Sequence, residues 1–316
     1  MHKWIYDTAI IGAGVAGLGA AVYTGRFQMK SAVVSETLGG TIILTNDVAN
    51  YPGFGQITGM DLAEKLQRHV NDYDVDIVEK VVSKIERCPE GCFKVFTGNE
   101  YLHPRSIIFA TGTEWRKLDI PGEREFTNKG VHYCALCDGA LYKDKVIGVV
   151  GGSDSAAKEA LLLAEYGKSV YIIYRKEKIR PEPINLERVM NHKKIKIINN
   201  TSVTAISGDR FISSVTLDKP YKGSSKFKLD ALFVEIGHIP LSGLAQEIGV
   251  KVNEKGEIKI DRDAKTNIAG VFAAGDVVDT VFKQAITGVA QGATAAYSAY
   301  HYVNEHEHIC CQNDEE

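Results

Sequence analysis

The chain has 316 residues, 44% hydrophobic and 24% charged, an ordinary make-up for a globular protein with room for two cores. Its net charge of −3 gives no footprint for nucleic acid or an anionic membrane surface, and no apolar run reaches the length of a membrane span. Six cysteines and no basic-then-apolar leader predict a reducing, cytoplasmic setting, where paired cysteines do redox or metal chemistry more often than they brace a fold.

A buried strand, Asp7 to Ile11, runs into Gly12-Ala13-Gly14-Val15-Ala16-Gly17 and then a helix to about Arg26. In a G-x-G-x-x-G turn the first glycine makes the bend, the second admits a pyrophosphate to the backbone, and the third lets helix pack on strand. A second strand, Ser31 to Val34, leads through Ser35 to Glu36, which lies 19 residues after Gly17, where a carboxylate takes ribose hydroxyls. Gly39-Gly40-Thr41 and the loop at Asn50 offer further backbone and side-chain donors. A helix over 61–73 and strands near 76–85 and 93–96 follow. Cys88 and Cys92 flank a Pro-Glu-Gly turn between strands, read as two exposed thiols, with a hairpin disulfide as the alternative. The next strand ends in Ala110-Thr111-Gly112 and returns to the first sheet.

Near the middle lies Cys134-Ala135-Leu136-Cys137-Asp138-Gly139. By spacing alone such a pair is half a zinc site, a redox couple or a coincidence. A helix beginning there would favour a thiolate, and Asp138 offers a carboxyl to a proton moving on or off sulfur, or a helix cap.

The opening unit then recurs at an offset of 139 residues. Strand 146–150 enters Gly151-Gly152-Ser153-Asp154-Ser155-Ala156, a helix to about Tyr166 and a strand 170–174. Glu36 maps onto Arg175, with Lys176 and Arg180 beyond it. An acid suits free ribose hydroxyls and a base suits a 2′-phosphate, so the first copy reads as an FAD site and the second as an NADPH site. Strand 230–237 ends in Gly237, and His238 beside it is either a nucleotide contact or a turn residue. Strand 271–276 ends in Gly275-Asp276, and Lys283-Gln284-Ala285 opens an alanine- and glycine-rich helix to about His301. Crossings near 112–115 and 237–241 predict two Rossmann-like α/β domains, the second inserted into the first: FAD domain 1–113, NADPH domain 114–238, FAD domain resumed over 239–305, and a tail over 306–316. His306, His308, Cys310 and Cys311 in that tail lack zinc spacing and read as a frayed acidic end.

These segments together resemble low-molecular-weight thioredoxin reductases over nearly the whole length. The Cys-x-x-Cys-Asp-Gly in the second domain is the most specific feature, since lipoamide and glutathione reductases carry their pair in the FAD domain. The resemblance implies a homodimer using FAD and NADPH and reducing a thioredoxin or a related small disulfide protein, with no resident metal. It places Cys137 against the flavin, makes Cys134 the attacking sulfur, and gives Asp138 the proton. Because nicotinamide and sulfur pair ride on one domain, a rotation about the crossings is expected between half-reactions. Three departures stand out: Ser153 for the middle glycine, Tyr174-Arg175-Lys176 where the family has His-Arg-Arg, and Thr41 where glutamine is common. The first two leave room for another donor such as ferredoxin or a deazaflavin, for a flavin-dependent dithiol oxidase, or for a redox sensor without turnover.

Overall fold

The computed structural model describes residues 4–45 and 48–306. The chain divides into two compact units, one of Met1–Glu114 with Ile239–Glu316 and one of Trp115–His238.

The first unit opens with β1 (Trp4–Gly14), α1 (Val15–Arg26) and β2 (Ser31–Gly39). A single 3-10 turn (Gly40–Leu44) leads on to α2 (Gly59–Val70), which starts where the Thr58 hydroxyl accepts from the Asp61 N–H. Then come β3 (Val75–Val78), β4 (Lys84–Arg87), β5 (Phe93–Thr97), β6 (Glu100–Phe109) and the short β7 (Thr113–Trp115). The second unit holds α3 (Glu123–Phe126), β8 (Val131–His132), α4 (Ala135–Asp138), β9 (Val146–Gly151), α5 (Asp154–Tyr166) and β10 (Ser169–Ile173). It continues with α6 (Pro183–Asn191), β11 (Ile195–Ile198), β12 (Val203–Gly208), β13 (Ile212–Tyr221), β14 (Ser224–Lys228) and β15 (Ala231–Glu235). The chain then returns to the first unit through β16 (His238–Pro240), α7 (Gly243–Glu247), β17 (Val271–Ala273) and α8 (Ala285–Glu305).

In the first unit β3, β2, β1 and β6 lie parallel in that order. β17 joins the C-terminal half of β6, and β5 and β4 add antiparallel at its N-terminal half. Ile10, Val33 and Ile108 face α1 and α8 on one side of this sheet, while Ile11, Ile107 and Phe109 pack with Ile258 and Val277 on the other. Both faces are buried, which is why these strands read as continuous apolar runs. In the second unit β11, β10, β9, β15 and β8 are all parallel, and β12, β13 and β14 form a separate antiparallel sheet. The two crossings pair as β7 with β16.

Element ends differ from the sequence expectations by a few residues. β2 runs on to Gly39 because Ala13 and Gly14 pair with Leu38 and Gly39 beyond an irregularity. α8 continues four residues past His301, its last turns held by Phe272 and Arg105. The exposed-thiol reading of Cys88 and Cys92 fails at Cys92, which is fully buried. Its carbonyl accepts from the Cys88 N–H at 2.8 Å, extending the ladder one step past Arg87–Phe93 and setting Cys92 against His103 of β6. Of the tail, only His306 falls among the described residues.

Candidate functional site

In the first unit the glycine turn is shaped by backbone alone. Gly12 has φ +105°, and a Cβ there would sit 2.4 Å from the Ala110 carbonyl oxygen. A Cβ on Gly17 would sit 1.9 Å from the Gly12 oxygen, so α1 rests directly on the end of β1. Gly14 caps α1 in an extended conformation, and Gly40, at φ +63°, brings its backbone so close that a Cβ would meet the Gly14 Cα at 2.8 Å. The result is a cradle of backbone amides at a helix N-terminus, without side chains in front of it. Such a cradle fits a pyrophosphate.

Other residues of the first unit line up around it. Glu36 is exposed in the second half of β2, and the Ser35 hydroxyl donates to the Thr37 carbonyl at 2.8 Å. Thr41 is exposed in the turn after Gly40. Asn50 Nδ2 donates to Gln284 Oε1 at 2.8 Å, joining the loop to the cap of α8, whose first residue is Ala285. A Cβ on Gly275 would approach Ala16 at 2.8 Å, and Asp276 follows, half-buried, at the tip of β17. Thr111 Oγ1 donates to the Leu241 carbonyl at 2.6 Å, and Gly112 turns the chain away with φ +67°. Lys283 is used within the fold, its ammonium 2.5 Å from Glu257 and 2.8 Å from the Asp276 carbonyl. The acid at the ribose position and the open cradle fit FAD.

The second unit repeats the geometry with different side chains. Ser153 caps α5 with φ −88° and ψ −177°, nearly the backbone of Gly14 (−72°, −177°). Any residue can adopt that conformation, so the missing glycine does not distort the turn. Ala156 takes the place of Gly17 and is fully buried. Gly152 lies beneath the Tyr174 ring, where a Cβ would clash at 2.4 Å. Gly152, Ser153, Tyr174 and Arg180 line a cleft of about 340 Å³. Arg175, Lys176 and Arg180 are exposed around it, a cationic rim that fits the 2′-phosphate of NADPH. Ser155 follows in the first turn of α5, and Gly237, at φ +102°, ends the unit. Asp154 is engaged internally: its Oδ1 accepts from the Glu182 N–H at 2.9 Å and Asn185 at 2.8 Å, and Lys158 lies 3.0 Å from Oδ2. Burial works against its ionisation, yet these partners hold its pKa below the usual carboxylate value.

The same unit carries the sulfur pair. Strand β8 delivers the chain to Cys134, the extended N-cap of α4, and Cys134 is joined to Cys137 in a disulfide. Cys134 Sγ accepts from the Cys137 N–H at 3.1 Å, so one short helical turn fixes both sulfurs. Cys137 is exposed and Cys134 is buried.

Asp138 does not cap a helix. Its Oδ2 lies 2.9 Å from Nδ1 of His132, a buried residue of β8, and His132 Nε2 is 2.7 Å from the Tyr142 hydroxyl. The imidazole stacks on Phe233 at 5.4 Å. Burial lowers the His132 pKa, and Asp138 offsets only part of that. Burial, then Asp138, raises the Tyr142 phenol. With the imidazole neutral, Nδ1 faces the Asp138 carboxyl and Nε2 accepts from Tyr142. On the other side of the pair, both carboxyl oxygens of Glu159 accept from the Ala135 N–H, at 3.1 and 2.9 Å. Burial raises the pKa of Glu159, and burial together with Glu159 raises that of Glu235 at the end of β15. His132, Tyr142 and Glu159 are absent from the sequence reading.

Residues 6–292 match the pyridine nucleotide-disulphide oxidoreductase family, and the chain belongs to it. It is 37% identical to a thioredoxin reductase of Bacillus subtilis (strain 168) over 95% of this chain and 96% of that one. A thioredoxin reductase of Mycolicibacterium smegmatis is 38% identical over 96% of this chain and 98% of its own. The solved structure of Lactococcus lactis thioredoxin reductase superposes with a TM-score of 0.91 at 38% identity, covering 95% of this chain and 99% of that one. The match to these proteins bears out the doubly nucleotide-binding α/β fold and makes the chain a flavin- and pyridine-nucleotide-dependent oxidoreductase.

Proposed function

We propose that this protein is a thioredoxin-disulfide reductase that spends NADPH on the disulfide of a thioredoxin-like protein through FAD and the Cys134–Cys137 pair. The observation that carries this reading is the Cys134–Cys137 disulfide, set at the first turn of α4 beside Asp138, in the unit that also holds the cationic nucleotide cleft. FAD and NADPH, when bound, supply the two electrons. The chain's own residues handle sulfur and protons.

Opening the disulfide takes two electrons and two protons and leaves two thiols. Asp138 is one residue from Cys137 and is backed by His132 and Tyr142, so a proton taken up at sulfur has a relay behind it. Cys134, as a thiolate, then attacks the partner's disulfide, and Cys137 resolves the mixed disulfide to give the oxidised pair and a reduced partner. Cys134 is buried, so its attack requires a rearrangement that uncovers it. Rotation of the inserted unit about its two crossings would let one unit present both sulfur and nicotinamide in turn. The protein acts in the cytoplasm as a homodimer. The exposed Tyr23 of α1 and Tyr297 of α8, both packed on Phe27, are an apolar surface for a second copy.

Arg175 and Arg180 favour NADPH over another donor, although a ferredoxin-flavin thioredoxin reductase of Clostridium acetobutylicum is 30% identical with a TM-score of 0.53. Parallel stopped-flow reduction of the bound flavin by NADPH, NADH and reduced ferredoxin tests the choice. Fast bleaching by NADPH followed by turnover on thioredoxin is expected. Reduction by ferredoxin alone would reject it.

A further inference from the structure

The Cys88–Cys92 turn has no part in the chemistry above. It belongs to the first unit, whereas the redox disulfide lies in the second. Cys88 and Cys92 are not bonded to each other. The sulfur atoms and the His103 imidazole converge, with one ligand atom from each within 4.8 Å of the others. Cys92 Sγ is 3.0 Å and Cys88 Sγ 3.9 Å from His103 Nε2. Cys92 and His103 are fully buried and Cys88 is partly so.

Zinc bond lengths of about 2.3 Å to sulfur and about 2.0 Å to nitrogen put tetrahedral ligands roughly 3.5–3.8 Å apart, so these three atoms need only small shifts to share one ion. A thiol–imidazole hydrogen bond would explain Cys92 and His103 alone. It does not explain why a second sulfur is brought to the same nitrogen. The hairpin does that: the Cys88 N–H bonds the Cys92 carbonyl at 2.8 Å, the Gly91 N–H bonds the Cys88 carbonyl at 3.0 Å, and both sulfurs turn toward β6. The spacing, two cysteines with three residues between them on a tight turn and a histidine on the neighbouring strand, is one that zinc sites use.

The end of α8 lies against the same place. Arg105, two residues after His103, donates to the carbonyls of Val303 and His306, each at 2.8 Å. Tyr302 stacks on His306 at 4.4 Å and is close enough to Cys92 for that thiol to bear on its phenol.

We propose that Cys88, Cys92 and His103 bind a zinc-class divalent ion. Binding exchanges two thiol protons for one Zn²⁺, leaving two thiolates and a neutral imidazole on the metal. The ion ties the β4–β5 hairpin to β6.

The test uses the full chain with FAD bound. Zinc content is measured after purification and after chelation and back-titration, and cobalt(II) reports thiolate ligation through its charge-transfer absorption. We expect stoichiometric zinc in the wild type and in the Cys134→Ser/Cys137→Ser variant, which removes the other paired thiols. Cys88→Ser and Cys92→Ser should each bind at least about tenfold more weakly. Zinc should also protect Cys88 and Cys92 of the wild type from iodoacetamide, a readout that needs no variant to fold. Full affinity in Cys88→Ser or Cys92→Ser, loss of zinc with Cys134 and Cys137 instead, or alkylation unchanged by zinc would overturn the proposal.

Discussion

His132 Nδ1 lies 2.9 Å from Asp138 Oδ2, so the carboxyl next to the redox disulfide is held by a buried imidazole six residues earlier in the chain. Asp138 thereby has a fixed orientation and a second proton site behind it. Asp138→Asn should slow the disulfide half-reaction by about 100-fold, the lower end of what a positioned acid–base group supplies. His132→Asn should slow it by about tenfold, and it should displace the pH profile of that step while leaving flavin reduction unchanged. Rapid-reaction measurements of the two half-reactions across pH separate these effects.

The His132 titration itself can be followed by NMR. Burial holds its pKa below the ordinary value, with Asp138 opposing. Asp138→Asn removes that opposition, so the imidazole should titrate at still lower pH. The same shift penalises the folded state in acid. Below about pH 6.5 the unfolded chain protonates this histidine and the folded chain does not, so stability falls as pH drops. His132→Asn should lessen that acid loss in a thermal-melt series.

Glu159 and Glu235 act in the opposite direction. Their folded pKa values are pushed up to about 7 and about 9 from the ordinary 4.5. Between those limits the folded state keeps protons that the unfolded state has released, so this contribution is full below pH 4.5 and is lost as pH rises through 7 and 9. Glu235→Gln should flatten the alkaline decline and raise Tm at pH 9. Calorimetry at pH 6 and pH 9 checks the sign.

How much was legible in the sequence depended on the range of the interaction. The two glycine turns announced themselves because backbone shape, not tertiary context, makes them: Ser153 reproduces the Gly14 backbone to within about 20° in φ. Glu36 and Arg175 followed from the repeat, since they stand at the same place in the two copies, 139 residues apart. His132 was illegible because β8 is two residues long and shows no periodicity. Glu159 lies 24 residues from the Ala135 amide it accepts from, a contact made only when α5 packs beside α4. Cys92 looked exposed beside Pro-Glu-Gly, and only the antiparallel addition of β5 to β6 buries it.

The cofactor cradles carry their own tests. Gly40→Ala puts a Cβ 2.8 Å from the Gly14 Cα at a positive φ, and the purified protein should lose most of its yellow flavin. Arg175→Ala with Arg180→Ala removes charge-assisted contacts worth roughly 1.5–3 kcal/mol apiece. The KM for NADPH should rise by at least about 100-fold while that for NADH changes little. Steady-state kinetics with both nucleotides measures the selectivity.

The central claim is that electrons leave through the Cys134–Cys137 pair. The direct measurement is NADPH-driven reduction of a thioredoxin disulfide by the wild type, Cys134→Ser and Cys137→Ser, with flavin reduction recorded on the same samples. The account predicts that both variants still bleach their flavin with NADPH yet reduce no thioredoxin. Undiminished thioredoxin reduction by either variant would contradict it.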